Sequence, residues 1–211
     1  MNTASDARFW DRTSRKYARS AIGDQAGYER SLDRTRALLR PSDRVLELGC
    51  GTGTTALLLA GQVQHYLATD LSAGMIAIAN EKLAADPVSA LVFRTATADD
   101  LASDATPFNA VLGFNYLHLV RDVAGTLRHI HTMLAAGGLF VSKTPCVGEM
   151  NPFIRAALPL MRATGLAPYV SVFRATDLSQ QIRDAGFDIL AVENHATKGS
   201  DNRPYIVARK R

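Results

Sequence analysis

The chain has 211 residues, 24 basic and 20 acidic, of which 47% are hydrophobic and 21% charged. That length holds one domain with a sizeable core, and that balance excludes a disordered segment. No apolar run reaches the ~18 residues that cross a bilayer, and the net charge of +4 is too scattered, outside residues 8–19 and the last three, to point to nucleic acid.

Residues 1–10 are polar and carry Asp6, unlike a secretory signal. Residues 25–39 predict a helix with Tyr28, Leu32 and Leu39 along one stripe, closed by Pro41. Arg44–Leu48 is a short buried strand, residues 49–53 a glycine turn, and residues 54–61 the start of a helix. A second strand over 65–69 ends at Asp70. Ser72 then caps a helix through Leu83. Strands follow at Leu91–Thr95 and 110–114. Val123, Leu127, Ile130 and Leu134 recur at helical spacing, and Gly137-Gly138 suits a left-handed cap. A fifth strand covers 139–142, a helix 176–185, and two last strands Phe187–Glu193 and 205–208.

Strands alternating with helices predict parallel pairing through right-handed crossovers. The last two strands have no helix between them and form an antiparallel hairpin at one edge. The fold expected is α/β, a Rossmann-like, doubly wound, mostly parallel seven-stranded sheet in one domain over 1–211. Residues 1–40 form its amino-terminal cap segment. Residues 145–175 interrupt the alternation and are rich in large apolar groups, with Asn151-Pro152 as a helix start and Pro159 as a kink. They read as a helical lid over the carboxyl ends of the strands.

Cys50 and Cys146 stand 96 positions apart without a Cys-x-x-Cys, and the histidines lack ligand spacing beside them. The expectation is a cytoplasmic protein with reduced thiols and no metal site. His129 and His131, two apart on a helix, face different ways.

The chemistry concentrates at Val45-Leu-Glu-Leu-Gly-Cys-Gly-Thr-Gly53. Gly49, Gly51 and Gly53 alternate straight after a buried strand, which lets the backbone approach a ligand. Asp70 ends the next strand, 19 positions after Gly51, where a carboxylate accepts from a ribose diol. The glycines alone leave NAD open, since Ala56 stands where that fingerprint allows a small residue.

Residues 47–53 resemble the first motif of class I S-adenosylmethionine-dependent methyltransferases. The resemblance continues through Ala68-Thr-Asp-Leu-Ser72 with Met75, Thr97-Ala-Asp-Asp-Leu101, residues 109–122 with Leu117-His118, and Leu134-Ala-Ala-Gly-Gly-Leu-Phe140. It implies S-adenosylmethionine as cofactor and an enzyme that methylates a small molecule. Gly49, Cys50 and Gly51 would contact the methionyl part and ribose. Glu47 would hold the loop or the amino-acid end, and Asp70 the ribose hydroxyls. Leu71 and Met75 would flank adenine, Ala98 would offer it a backbone amide beside Asp99, and Asn115 would face the methionyl end. Thr97 departs from the aspartate common there, so either its hydroxyl or Asp99 takes the adenine amino group. Tyr17, in a leading segment with Phe9 and Trp10, would fold over the cofactor.

For the acceptor, His118 is the candidate general base, with a cleft-wall role as its alternative. Tyr28, Glu149 and Asn151 are further acceptor-site candidates, with Phe153 and Met161 as lid walls. No Asn-Pro-Pro-Tyr-like sequence follows strand four, which argues against methylation of DNA bases. Two other readings stay open: a non-catalytic S-adenosylmethionine-binding or partner-binding protein, and a nicotinamide-dependent reductase.

Overall fold

The computed structural model describes residues 3–101, 106–150, 152–197 and 202–211. Seven strands form one sheet: β1 (Arg44–Leu48), β2 (His65–Asp70), β3 (Leu91–Thr95), β4 (Phe108–Phe114), β5 (Leu134–Lys143), β6 (Phe187–Glu193) and β7 (Tyr205–Lys210). Their order is β3-β2-β1-β4-β5-β7-β6, parallel except where β7 runs antiparallel to β5 and β6. The strand order reverses between β1 and β4, and their carboxyl ends open the crevice where such sheets take ligands.

Around the sheet lie α1 (Thr3–Ala18), α2 (Gln25–Arg36), α3 (Thr54–Leu59), α4 (Ala73–Ala85), α5 (Ala98–Leu101), α6 (Val123–Met133), α7 (Pro152–Ala163) and α8 (Ala175–Asp184). Strand side chains alternate between faces with period two, and both faces are covered. Leu46, Val111 and Phe140 therefore pack on one side with Leu127, Ile130, Leu178 and Ile182. Val45, Leu112 and Val141 pack on the other with Leu59, Ile76 and Ala79.

Two local expectations are corrected. The helix expected over 25–39 stops at Arg36, so Leu39 lies beyond it. The helix expected to run to Gly137 ends at Met133. Gly137 instead takes a φ of 70° within β5, where the register with β4 slips from Phe108↔Leu134 to Ala110↔Leu139. The extra residues are absorbed by a bulge, and glycine supplies the left-handed step there.

Helix α1 was not among the expected elements, and polar bonds fix it to distant ones. Asp11 accepts from Ser72 Oγ at 2.6 Å and from the Gly74 amide at 2.9 Å, at the start of α4. Arg15 pairs with Glu81, and Arg121 makes a two-pronged pair with Asp6, both bonds 2.9 Å. The first helix is thereby tied across the crevice mouth.

Candidate active site

The turn after β1 places Gly49 and Gly51 in the left-handed region, at φ 70° and 54°. A Cβ on Gly49 would stand 2.6 Å from the Tyr116 ring, so the turn closes only on glycine. Beside Gly51 only the Tyr17 ring approaches, 3.6 Å from where a Cβ would sit. That backbone face is open to a ligand.

Asp70 reaches back from the end of β2. Its Oδ2 accepts from the Gly51 amide at 3.0 Å and its Oδ1 from the Ser72 amide at 2.9 Å. Burial raises its carboxyl, and the Ser72 and Gly51 amides pull it back. Across the crevice, Asn115 follows β4 with φ 51°, a conformation its short amide side chain tolerates. Its backbone N–H donates to the Lys143 carbonyl at 2.7 Å.

Two cavities meet here. The first, of about 470 Å³, is lined by Gly49, Gly51, Asp70, Leu71, Met75, Ala98, Asp99, Asn115 and Tyr17. The second, of about 670 Å³, takes Glu47, Cys50 and Tyr28 and shares Tyr17, Gly49, Gly51, Phe114 and Asn115 with the first. Every residue expected at the cofactor thus lines one or both cavities.

Glu47 is buried, and its Oε2 accepts from the Tyr66 hydroxyl at 2.8 Å. Burial pushes its carboxyl up to about 7, against the pull of the Tyr66 bond. Burial also pushes the Cys50 thiol up, which leaves it a neutral wall. Tyr28 bonds Thr55 through its hydroxyl at 3.1 Å. At the far end of the first cavity, Asp99 pairs with His129 at 2.9 Å. The Thr97 hydroxyl donates to Asp100 at 2.8 Å, so one of its bonds is already made within the loop.

The acceptor candidates fare differently. His118 lines neither cavity. It sits in the 3-10 turn Leu117–Leu119, its carbonyl taken by the Ser171 amide at 2.7 Å. Its Nδ1 is buried without a hydrogen bond, and burial lowers its pKa to about 4. The expected general base thus stands outside both cavities. Glu149 lies outside both cavities too, its Oε1 accepting from the Ala175 amide at the start of α8. Asn151 falls outside the described residues. Phe153 and Met161 also line neither cavity, and Phe153 is 84% exposed.

Among the described residues, none of 145–175 lines either cavity. The second is walled instead by the end of α1, the following turn and the start of α2, from Tyr17 to Leu32. Lys143 and Arg203, which the sequence reading missed, stand on its wall. Lys143 Nζ donates to Ser31 Oγ at 2.9 Å, and Ser31 Oγ bonds the buried His195 at 3.0 Å. Lys143 was detectable only as the last residue of the fifth strand, and Arg203 by no local signal.

Comparison with known proteins places this geometry. Residues 17–192 match a family model described as a methyltransferase domain. The chain is 29% identical over 188 residues to the mitochondrial arginine-hydroxylase NDUFAF5 of Danio rerio, over 87% of this chain and 55% of that protein. It is 29% identical over 178 residues to the demethylmenaquinone methyltransferase of Symbiobacterium thermophilum, over 70% of this chain and 69% of that one. The chain thus spans little more than half the length of the first relative. The crystal structure of magnesium protoporphyrin IX methyltransferase from Synechocystis with bound SAH shares the fold, with a TM-score of 0.71 and 18% identity over 98% of this chain and 95% of that one.

Proposed function

From the premise that this chain belongs to the class I S-adenosylmethionine-dependent methyltransferases, we propose that it methylates a small-molecule acceptor held in the second cavity. S-adenosylmethionine is the cofactor. The observation that carries the acceptor reading is the meeting of two cavities at Tyr17, Gly49, Gly51, Phe114 and Asn115.

The residues present fit the cofactor. Gly51 leaves open the space that a side chain would fill, and Asp70 brings a buried carboxylate to the same edge. Asp70 binds the ribose hydroxyls. Leu71 and Met75 flank the adenine, with Ala98 and Asp99 at its edge. Gly49, Cys50 and Asn115 line the methionyl end, and Glu47 faces its ammonium. Tyr17 lies over the junction, its ring suited to a cation.

When bound, the cofactor supplies a methyl group on a positive sulfur. The chain's part is to hold the acceptor in line with that methyl and to keep water out. Residues 1–40 act as the cap that does so, with Tyr17 and Tyr28 on the inner wall beside Lys143 and Arg203. No histidine lines the second cavity among the described residues, so the proposal assigns transfer to alignment rather than to an imidazole base. The mixed wall, with Tyr17, Ile22, Tyr28 and Leu32 beside Lys143 and Arg203, suits a small molecule.

The test pairs binding with turnover. Titration calorimetry is run with S-adenosylmethionine and with NADH, and S-adenosylhomocysteine release is followed across a panel of phenols, enols and carboxylic acids. Binding of S-adenosylmethionine alone, with release dependent on a panel member, is the expected result. Binding without turnover on any acceptor supports the non-catalytic reading, and preference for NADH contradicts the cofactor assignment.

A further inference from the structure

Helix α7 carries its apolar face outward. Phe153, Ala157, Leu160 and Met161 are all exposed, and at 3.6 residues per turn they fall within an arc of about 100°. Leu160 and Leu166 are 71% and 72% exposed. An ordinary surface helix turns the opposite face to water. A contiguous exposed apolar patch of this kind marks an interaction surface.

Charge identifies the occupant. Between Glu149 and Asp177 the sequence holds Arg155, Arg162 and Arg174 and no acidic residue. The patch also adjoins the basic end of α1. Arg12 donates to the Gly165 carbonyl at 3.4 Å, next to Leu166, and Arg8 stands one turn away, both exposed. The acids of that helix are engaged elsewhere: Asp6 with Arg121, Asp11 with Ser72 and Gly74. Apolar side chains beside the exposed Arg8 and Arg12 match an anionic lipid surface, which takes the apolar groups into the acyl boundary and the cations at the headgroups.

We propose that α7, Leu166 and the Arg8–Arg12 face of α1 dock this protein on the surface of an anionic bilayer, without crossing it. The described helices contain no span long and apolar enough to cross a membrane. The proposal stands on this surface alone and does not depend on the methyl-acceptor reading.

The experiment is co-sedimentation with vesicles of phosphatidylcholine, and of phosphatidylcholine mixed with phosphatidylglycerol. Wild type is expected to pellet with the anionic vesicles, in a salt-sensitive manner, and far less with the neutral ones. The double variant Leu160→Asp, Leu166→Asp should lose binding by at least about tenfold. Arg8→Glu with Arg12→Glu should lose the preference for anionic lipid. The leucine variant should keep the S-adenosylhomocysteine affinity of wild type, which separates lipid docking from the cofactor site. Failure of wild type to pellet with either vesicle would overturn the proposal. So would undiminished binding by the leucine variant, or a wild-type dimer in sedimentation velocity that this variant dissociates.

Discussion

Asp70 holds the glycine turn in the free protein, because its two oxygens already take the Gly51 and Ser72 amides. Asp70→Ala is therefore expected to act twice. Cofactor affinity should drop by about 2–4 kcal/mol as charge-assisted bonds are lost, and the melting temperature of the free protein should also fall. Calorimetry read beside a thermal melt separates the two effects, and an unchanged affinity removes Asp70 from the site. Gly51→Val should abolish cofactor binding while far-ultraviolet circular dichroism stays near wild type. Its φ of 54° and its open face both disfavour a branched side chain. Normal binding by that variant would put the ligand elsewhere. Glu47 supplies a pH test. Its carboxyl is raised from 4.5 to about 7 in the fold, so the native state keeps a proton that the unfolded chain has released. Stability from this group is full below the unfolded value and declines as pH climbs through that window. His118, lowered from 6.5 to about 4, works oppositely: its contribution is full above 6.5 and is lost as pH falls. The two slopes offset in wild type. Glu47→Gln should remove one of them, so its melting temperature should rise relative to wild type between pH 5 and pH 8. A pH-independent difference between the two would contradict the assignment. The placement of Asp70 beside the glycine turn was legible in the sequence because it follows from backbone geometry at two strand ends. The exclusion of His118 was not, since four residues past a strand do not fix which way a 3-10 turn points its ring.

At the scale of elements, the strands with continuous apolar runs were legible, and so was the Ser72 cap, whose hydroxyl accepts from the Met75 amide at 3.1 Å. Helix α1 was not, because its order comes from partners more than 60 residues away, such as Ser72 for Asp11. Among the described residues, none of 145–175, where a lid was expected, lines either cavity. Composition marked 145–175 as apolar, but position along the chain does not say which face those groups take. What that segment does contribute is a clamp. Tyr169 stacks between Arg121, 4.3 Å from its ring centre, and Arg162 at 4.7 Å, while Arg121 holds Asp6 of α1. Such contacts are worth roughly 0.5–2 kcal/mol each. Tyr169→Ala should loosen α1 over the first cavity, speeding hydrogen exchange in α1 and shortening cofactor residence. Exchange in α1 identical to wild type would mean that the Asp11 and Arg15 bonds suffice.

At the scale of the whole molecule, the order β3-β2-β1-β4-β5-β7-β6 turns the separate motifs into one crevice. β1 and β4 are adjacent although 60 residues separate Leu48 from Phe108, and their ends bring Gly49 and Asn115 to the same junction. That architecture was readable from alternation and from the motif series. The second cavity was not, because its walls come from α1, α2, β5 and the stretch before β7, which share no local pattern. The central claim is that the adenosine part of the cofactor fills the first cavity, while its sulfur and methionyl end reach the second beside Cys50 and Glu47. A crystal structure with S-adenosylhomocysteine bound tests it most directly. The account predicts ribose hydroxyls on Asp70, adenine between Met75 and Ala98, and the sulfur at the junction of Tyr17, Gly49 and Asn115. Density with the ribose away from Asp70, or with the adenine in the second cavity, would contradict it.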